Sequence, residues 1–310
     1  MTSDELTMLQ ALPLEIKIAK TKLRIEEWYR SWGGQVYVSF SGGKDSTVLL
    51  HIARQVYPDI EAVFVNTGLE YPELKEFVKS IPNVTIVKPK MSFREVIKKY
   101  GYPVISKEVS NVVEGARNNP DSIRMKRLQG TLLNKDGDKS IFNCEKYKYL
   151  LDAPFKCSDK CCNIMKKIPS KLYEKESNKK PILGLMANES QKRRRDYLKT
   201  GCNAFNKERP QSQPMGFWTD QDVLRYLKEY NVPYASVYGD IIEKDGKLTT
   251  TGLRRTGCMF CLFGVGLEKE PNRFQQMKET HPKIYDYCMK KWEDGGLGID
   301  EVLNYINVKH

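Results

Sequence analysis

The stretch SFSGGKDST at residues 39–47 constrains the fold of this 310-residue chain more than any other feature. It directly follows the apolar run VYV, and it leads into STVLLHIARQVY, whose apolar residues recur at helical spacing. A buried strand, a glycine-rich turn and a helix in this order predict a strand–loop–helix unit. The loop of such a unit can bind an anion, because the positive end of the helix dipole points at it.

Strand and helix patterns alternate along the rest of the chain. After the strand at VYV, the segments IEAVFVNTG, NVTIVKP and PILGLMA are predicted as further strands. An amphipathic helix is predicted between IEAVFVNTG and NVTIVKP. Strands that alternate with helices favour parallel pairing. The predicted fold class is therefore α/β, with a mostly parallel sheet.

The periodicity divides the chain into three segments. Residues 1–34 are predicted as an N-terminal helical segment, and residues 35–245 as the α/β domain. Within that domain the pattern weakens over residues 114–158, where turn-rich sequence predicts an insertion or a flap. Residues 246–310 are predicted as a C-terminal helical segment that carries a Cys-x-x-Cys motif.

Composition and charge narrow the class of protein. No apolar run approaches the ~20 residues of a membrane span. The N-terminus lacks a basic start followed by an apolar block, so no secretion signal is predicted and we expect a cytoplasmic location. The net charge of +12 favours anionic partners such as nucleotides or nucleic acid.

The glycine-rich loop has the chemistry of a phosphate-binding site without the spacing of a Walker A motif. Gly42 and Gly43 allow a tight turn that points successive N–H groups inward. Lys44 would neutralise phosphate charge, and Asp45 would orient Lys44 or a magnesium ion. Hydroxyl donors come from three further residues: Ser41, Ser46 and Thr47.

These residues resemble the pyrophosphate-binding loop of the PP-loop ATPases, in the branch that contains the phosphoadenosine phosphosulfate reductases. The resemblance continues at NTGLEYPE, GLMANESQKR and RRTGCMFCLFG, and it spans most of the chain. It implies an open, mostly parallel sheet with helices on both faces, a Rossmann-like arrangement. It also implies an adenosine nucleotide, either ATP or a sulfonucleotide, bound at the carboxyl ends of the strands.

The resemblance also implies which residues form the site. Lys44, Asp45 and Glu189 are the candidate catalytic residues. The candidate nucleotide-binding residues are Ser39, Ser41, Gly42, Gly43, Lys44, Asp45, Ser46, Thr47, Asn66, Thr67, Gly68, Ser190 and Arg193.

Five of the eight cysteines fall into two tight groups, which indicates metal or redox chemistry. The adjacent pair Cys161 and Cys162, with the distant Cys258 and Cys261, resembles the [4Fe–4S] ligand set of the adenylylsulfate reductases. Zinc is the alternative, with Cys157 as a substitute for one member of the pair.

Two features depart from the reductase pattern. The reductases carry a cysteine in a C-terminal Glu-Cys-Gly-x-His tail, whereas this chain ends LNYINVKH. Sulfonucleotide binders usually place an arginine where this chain has Met186, and methionine cannot bind a sulfate dianion. The last cysteine, Cys288, lies among helical and aromatic residues that favour packing over nucleophilic attack.

The resemblance and the departures from it leave three functions open, and the first is the one that the resemblance implies. The first is an enzyme that adenylates a substrate with ATP, releases pyrophosphate and couples this to sulfur transfer, with a nucleic acid as an acceptor and a sulfur-donor or reductant protein as a partner. The alternative is a sulfonucleotide reductase that forms sulfite. The third is a non-catalytic nucleotide-binding module.

Overall fold

The computed structural model describes residues 1–310. It contains thirteen α-helices: α1 (Ser3–Gln10), α2 (Leu14–Ser31), α3 (Lys44–Val56), α4 (Pro72–Ser80), α5 (Phe93–Tyr100), α6 (Lys107–Asn118), α7 (Ile123–Gln129), α8 (Ile168–Ser177), α9 (Gln191–Thr200), α10 (Asp220–Glu229), α11 (Arg273–Thr280), α12 (Pro282–Met289) and α13 (Ile299–Tyr305). Eight strands accompany them: β1 (Val36–Ser39), β2 (Ala62–Val65), β3 (Val84–Val87), β4 (Lys180–Leu183), β5 (Asn203–Ala204), β6 (Gln211–Ser212), β7 (Ile241–Lys244) and β8 (Lys247–Thr250).

Six strands form one sheet in the order β3-β2-β1-β4-β6-β5. All neighbouring pairs are parallel except β5 and β6, so the predicted open, mostly parallel α/β sheet is confirmed. The strand order reverses between β1 and β4, since β2 and β3 extend the sheet to one side of β1 and β4 extends it to the other. Ligands of open α/β sheets bind outside the carboxyl ends of the strands at such a reversal.

The chain folds into two compact units. The first, called here the sheet unit, comprises Met1–Asn66, Glu70–Lys88 and Pro169–Thr256. The second, called here the cysteine unit, comprises Thr67–Leu69, Pro89–Ile168 and Gly257–His310. The N-terminal helices therefore belong to the sheet unit, as do residues 246–256.

Apolar side chains of the sheet and its helices form the core of the sheet unit. β1 is buried at three successive residues, which is typical of a parallel strand covered on both faces. α2 contributes Ile18, Ile25 and Trp28 to the same cluster, and α3 contributes Leu49. This packing fixes the end of β1 and the start of α3, between which the glycine-rich loop lies.

A capping box fixes the start of α10. The Thr219 hydroxyl accepts a hydrogen bond from the Asp222 N–H, and the Asp222 carboxylate accepts one from the Thr219 N–H. The same carboxylate pairs with Lys17 of α2 at 2.6 Å, and the Lys17 side chain is almost fully buried. Such a cap is worth about 1 kcal/mol of stability. The first residue of α10, Asp220, is thereby held in place.

The turn-rich region 114–158 lies in the cysteine unit and contains the end of α6, all of α7 and a 3₁₀-helix at Glu145–Asp152. Arg117, near the start of this region in α6, links it to residues near the end. The guanidinium donates hydrogen bonds to the carbonyls of Leu150, Ala153 and Phe155 at 2.6, 2.9 and 2.7 Å.

None of the helices combines the length and the apolar composition that a membrane span requires.

Candidate functional site

A cavity of about 450 Å³ opens at the reversal of strand order in the sheet unit. The last residues of β1 and β4, Ser39 and Leu183, lie in its wall. The other lining residues come from the glycine-rich loop, from the segments after β4 and around the start of α9, and from the chain between residues 238 and 256: Ser41, Gly43, Lys44, Asp45, Ser46, Gly184, Leu185, Glu189, Ser190, Arg193, Tyr238, Arg255 and Thr256.

Hydrogen bonds within the loop determine its shape. Gly42 has a φ of +73°, a conformation that favours glycine. Gly43 is the N-cap of α3, and its carbonyl accepts hydrogen bonds from the hydroxyls of Ser46 and Thr47 at 2.9 and 3.0 Å. These two hydroxyls therefore hold the turn, and the hydroxyl of the exposed Ser41 accepts a further hydrogen bond from the Gly43 N–H at 3.3 Å.

Lys44 is the buried cation of the cavity, with 4% of its side chain exposed. Its ammonium donates hydrogen bonds to Asp45 at 2.6 Å and to Asp220 at 2.9 Å. Burial alone would lower the pKa of Lys44, but the two carboxylates outweigh it and raise the pKa above its ordinary value. Burial would raise the pKa of Asp220, but Lys44 and Arg255 outweigh it and lower the pKa. Lys44 is therefore a fixed positive charge.

Tyr238 supports the loop from the other side. Its hydroxyl accepts a hydrogen bond from the Lys44 N–H at 3.1 Å and lies 2.8 Å from the Thr256 hydroxyl. Burial is the main cause of the raised pKa of Tyr238, so this hydroxyl stays protonated. The ring thus connects the first residue of α3 to the end of the sheet unit.

Arg193 and Glu189 form an ion pair at the start of α9. Ser190 is the N-cap of that helix, and its hydroxyl accepts a hydrogen bond from the Arg193 N–H at 3.2 Å. Burial is the main cause of the lowered pKa of Arg193, and the positive charge of Arg255 lowers it further. Cations at Lys44, Arg193 and Arg255 therefore surround one cavity, which favours a phosphate-bearing ligand.

The remaining residues predicted to bind the nucleotide lie outside the wall of this cavity. Gly42 and Thr47 belong to the loop but do not line the cavity. Asn66 follows β2, and its N–H donates to the Val87 carbonyl at 2.8 Å. Thr67 and Gly68 belong to the cysteine unit, where the Thr67 hydroxyl accepts from the Leu69 N–H at 3.2 Å.

Three residues beside Lys44 are absent from the predicted site residues: Asp220, Tyr238 and Arg255. Asp220 directly follows the N-cap Thr219, a position at which a first-turn acid is ordinarily assigned to the helix dipole. Tyr238 ends a short 3₁₀-helix, Ser236–Tyr238, and no local pattern marks it. Both lie more than 170 residues from Lys44 along the chain, as the separations of 176 and 194 residues show.

The four predicted metal ligands are electrostatic neighbours within the cysteine unit. Burial raises the pKa of Cys161, and the negative charges of Cys162, Cys258 and Cys261 raise it further. Burial also raises the pKa of Cys261, with a contribution from Cys162. Cys157 has different surroundings, since burial raises its pKa to about 11 and Arg117 opposes this.

The number and type of these donors fit a metal cluster, although the side chains are not arranged around a metal position. No group of three or more His, Cys, Asp or Glu side chains has the geometry of a metal site. Four thiols in one neighbourhood are nevertheless the complement that a [4Fe–4S] cluster or a tetrahedral zinc ion requires.

Comparison with known proteins places the chain in a family. A family model described as the phosphoadenosine phosphosulfate reductase domain matches residues 35–117 and 125–262. An uncharacterized protein of Methanocaldococcus jannaschii is 24% identical over 93% of the chain, and the chain spans 56% of that relative's length. An adenosine 5'-phosphosulfate reductase of Bacillus cereus is 23% identical over 80% of the chain and 82% of the relative.

Two solved structures match the chain at low identity and low TM-score. The phosphoadenylyl-sulfate reductase of Candida auris in complex with phosphate has a TM-score of 0.40 and 16% identity, over 78% of this chain and 96% of that one. The U34-tRNA thiolase NcsA of Methanococcus maripaludis with its [4Fe–4S] cluster has a TM-score of 0.38 and 14% identity, over 95% and 82%. Since the family model matches most of the residues, the chain belongs to the phosphoadenosine phosphosulfate reductase family.

Proposed function

We propose that the chain is an enzyme that binds ATP in the cavity at the end of β1 and β4 and adenylates a substrate. The observation that carries this proposal is the buried ammonium of Lys44 at the first residue of α3, with Arg193 and Arg255 in the same cavity. A helix N-terminus, a fixed cation and two guanidinium groups suit the charge of a triphosphate.

In the proposed reaction a substrate oxygen attacks the α-phosphorus of ATP. A new oxygen–phosphorus bond forms, the bond from the α-phosphorus to the oxygen bridging to the β-phosphorus breaks, and pyrophosphate leaves with the electron pair. Lys44 and the positive end of the α3 dipole would stabilise the negative charge that develops on pyrophosphate. Asp45 would hold the Lys44 ammonium or a magnesium ion, and Glu189 would hold Arg193.

A [4Fe–4S] cluster on Cys161, Cys162, Cys258 and Cys261 is the second part of the proposal, with zinc as the alternative metal. When bound, such a cluster supplies a site for electron transfer or for sulfur binding. In the overall reaction that we infer, sulfur from a donor protein bonds to the adenylated acceptor, and AMP leaves with the acceptor oxygen and the electron pair of the broken bond. A reductant protein would supply electrons where the donor sulfur is a persulfide. The eight free thiols suit a reducing compartment such as the cytoplasm.

Reduction of a sulfonucleotide to sulfite is the second candidate, which the name of the Bacillus cereus relative favours. Two residues of this chain weigh against it. Met186 stands where a sulfate-binding arginine is expected, and its side chain is 1% exposed in the core. Cys288 is fully buried, and burial raises the pKa of its thiol, so it is a poor nucleophile.

Product analysis separates the candidates. We would purify the protein anaerobically and incubate it with ATP or with adenylylsulfate, comparing wild type, Lys44→Ala and the exposed control Lys79→Ala. Pyrophosphate and AMP from ATP, lost in Lys44→Ala and retained in Lys79→Ala, would support adenylation. Sulfite from adenylylsulfate would support the reductase instead. Neither product, with ATP still bound, would support a non-catalytic module.

A further inference from the structure

A second cavity in the sheet unit has a volume of about 820 Å³ and a predominantly basic wall. It lies between the start of α10 and the hairpin formed by β7 and β8. Five basic residues line it against two acidic ones, and these seven are Lys44, Lys244, Lys247, Arg254, Arg255, Asp220 and Asp245. We call this space the hairpin cavity.

The hairpin is held firmly against α10. Asp245 and Gly246 connect the two strands with φ angles of +53° and +70°, as a tight two-residue turn requires. The Gln221 side chain accepts a hydrogen bond from the Leu248 N–H and donates one to the Leu248 carbonyl, each at 2.9 Å. The wall that carries Lys244 and Lys247 is therefore anchored beside Asp220.

The hairpin cavity shares residues with the cavity that holds the glycine-rich loop. Lys44 and Arg255 line both of them. Asp220 stands at the junction and pairs with Lys44 at 2.9 Å and with Arg255 at 3.0 Å. A ligand in the hairpin cavity would thus lie next to the same cations that face the proposed nucleotide.

The charge of the hairpin cavity is not balanced from within. Asp220 is already paired with two of the cations, whereas Lys244, Lys247 and Arg254 form no salt bridge within the chain. Exposed lysines ordinarily belong to a solvated convex surface. Here they line a concave space whose floor includes the buried Lys44, and such a space concentrates positive potential.

We propose that the hairpin cavity is a second anion site, which binds phosphate groups of the acceptor next to the bound nucleotide. The role of this ligand as the acceptor rests on the proposed adenylation, whereas the phosphate binding rests only on the residues that line the hairpin cavity. The volume admits a nucleotide-sized ligand. Its phosphates come either from a free mononucleotide or from a nucleic-acid strand, and the two arms of the test distinguish these sources.

The first arm uses a fluorescein-labelled single-stranded RNA of 12 nucleotides and measures its binding by fluorescence anisotropy at several salt concentrations. The variant K244Q/K247Q/R254Q removes three cations of the hairpin cavity, and K79Q/K175Q/K199Q removes three exposed lysines elsewhere in the sheet unit. The second arm titrates AMP into ATP-saturated protein by calorimetry. ATP binding itself is measured for every variant.

The proposal expects RNA affinity to fall at least ~10-fold in the hairpin variant, with a salt slope lower by about 2, because three phosphate contacts on a single strand are lost. The control should change by less than about 2-fold. If wild type binds no RNA, an AMP site that only the hairpin variant loses supports the mononucleotide source. Equal behaviour of both variants in both arms overturns the proposal. If wild type neither binds ATP nor releases pyrophosphate, the proposed function is refuted, whereas the RNA arm, which contains no ATP, still tests the hairpin cavity.

Discussion

Replacing Asp220 with asparagine should lower the stability of the protein and raise its affinity for ATP. The wild-type carboxylate accepts hydrogen bonds from Lys44 at 2.9 Å and from Arg255 at 3.0 Å. Asparagine keeps a similar shape but removes the negative charge. Without that charge the two cations lose a partner in the free protein, and they face the phosphates of ATP without competition.

The two effects have separate magnitudes. A hydrogen bond to a charged group is worth about 1.5–3 kcal/mol. About a third of the Asp220 side chain is exposed, and Asp45 continues to neutralise Lys44, so we expect a loss of roughly 1 kcal/mol in the free energy of unfolding. Removing the negative charge beside the two cations that would face the phosphates is worth about 1 kcal/mol of binding in a partly hydrated cavity. ATP affinity should therefore rise about 5-fold.

The pH dependence of this stability loss has a defined sign. The pKa of Asp220 is lowered in the folded protein, so its stabilising contribution is complete above the ordinary value of about 3.9 and is lost as pH falls through the lower folded pKa. The raised pKa of Lys44 keeps its contribution complete below about 10.4. The difference between wild type and Asp220→Asn should stay constant from about pH 5 to 9 and shrink only below about pH 3.9.

Urea unfolding and calorimetric titration with ATP measure the two quantities. Asp222→Asn is the matched control, because it lies on the same helix turn but pairs with Lys17 instead of Lys44. The control should lose stability with no gain in ATP affinity. If ATP binds more weakly to Asp220→Asn than to wild type, Asp220 does not compete with phosphate for Lys44, and the reasoning fails.

Three further predictions concern the loop, its support and the cysteines. Gly42→Ala should destabilise the protein by about 2 kcal/mol or more, because the added Cβ would lie 2.9 Å from a Val78 methyl at a residue whose φ is +73°. The control Gly33→Ala, at a φ of +54° and with open space around the added Cβ, should cost about 1 kcal/mol. Equal losses of stability in urea unfolding would contradict this prediction. Tyr238→Phe should cost about 1–2 kcal/mol, because the Lys44 N–H loses its acceptor, and an unchanged unfolding midpoint would count against that hydrogen bond. Cys258→Ala should lose the iron and acid-labile sulfide of anaerobically purified protein, whereas Cys144→Ala should keep them; retention in both would exclude Cys258 as a ligand.

Local sequence patterns predicted the parts of the fold that depend on neighbouring residues. The strand–loop–helix unit at residues 36–56 follows from a run of buried apolar residues, two glycines and an amphipathic helix. The capping box at Thr219 also depends on near neighbours, since Thr219 and Asp222 are three residues apart. Strands β5 and β6, at two residues each, are too short to have a recognisable period.

The supporting residues of the candidate site could not be predicted locally. Asp220, Tyr238 and Arg255 reach Lys44 or its partners only because the sheet brings distant segments together. The motif does predict Ser46 and Thr47 as hydroxyl donors of the loop. It does not reveal that both hydroxyls donate to the Gly43 carbonyl. A motif therefore indicates the type of ligand, whereas tertiary contacts determine which groups are available to bind it.

The measurement that tests the account most directly is the equilibrium affinity for ATP of wild type and Lys44→Ala, with Lys79→Ala as the control. Loss of a charge-assisted contact of about 1.5–3 kcal/mol predicts binding weakened about 10- to 100-fold in Lys44→Ala and unchanged in the control. Equal ATP affinity in all three proteins would show that the buried ammonium does not face the nucleotide, and it would contradict the central claim.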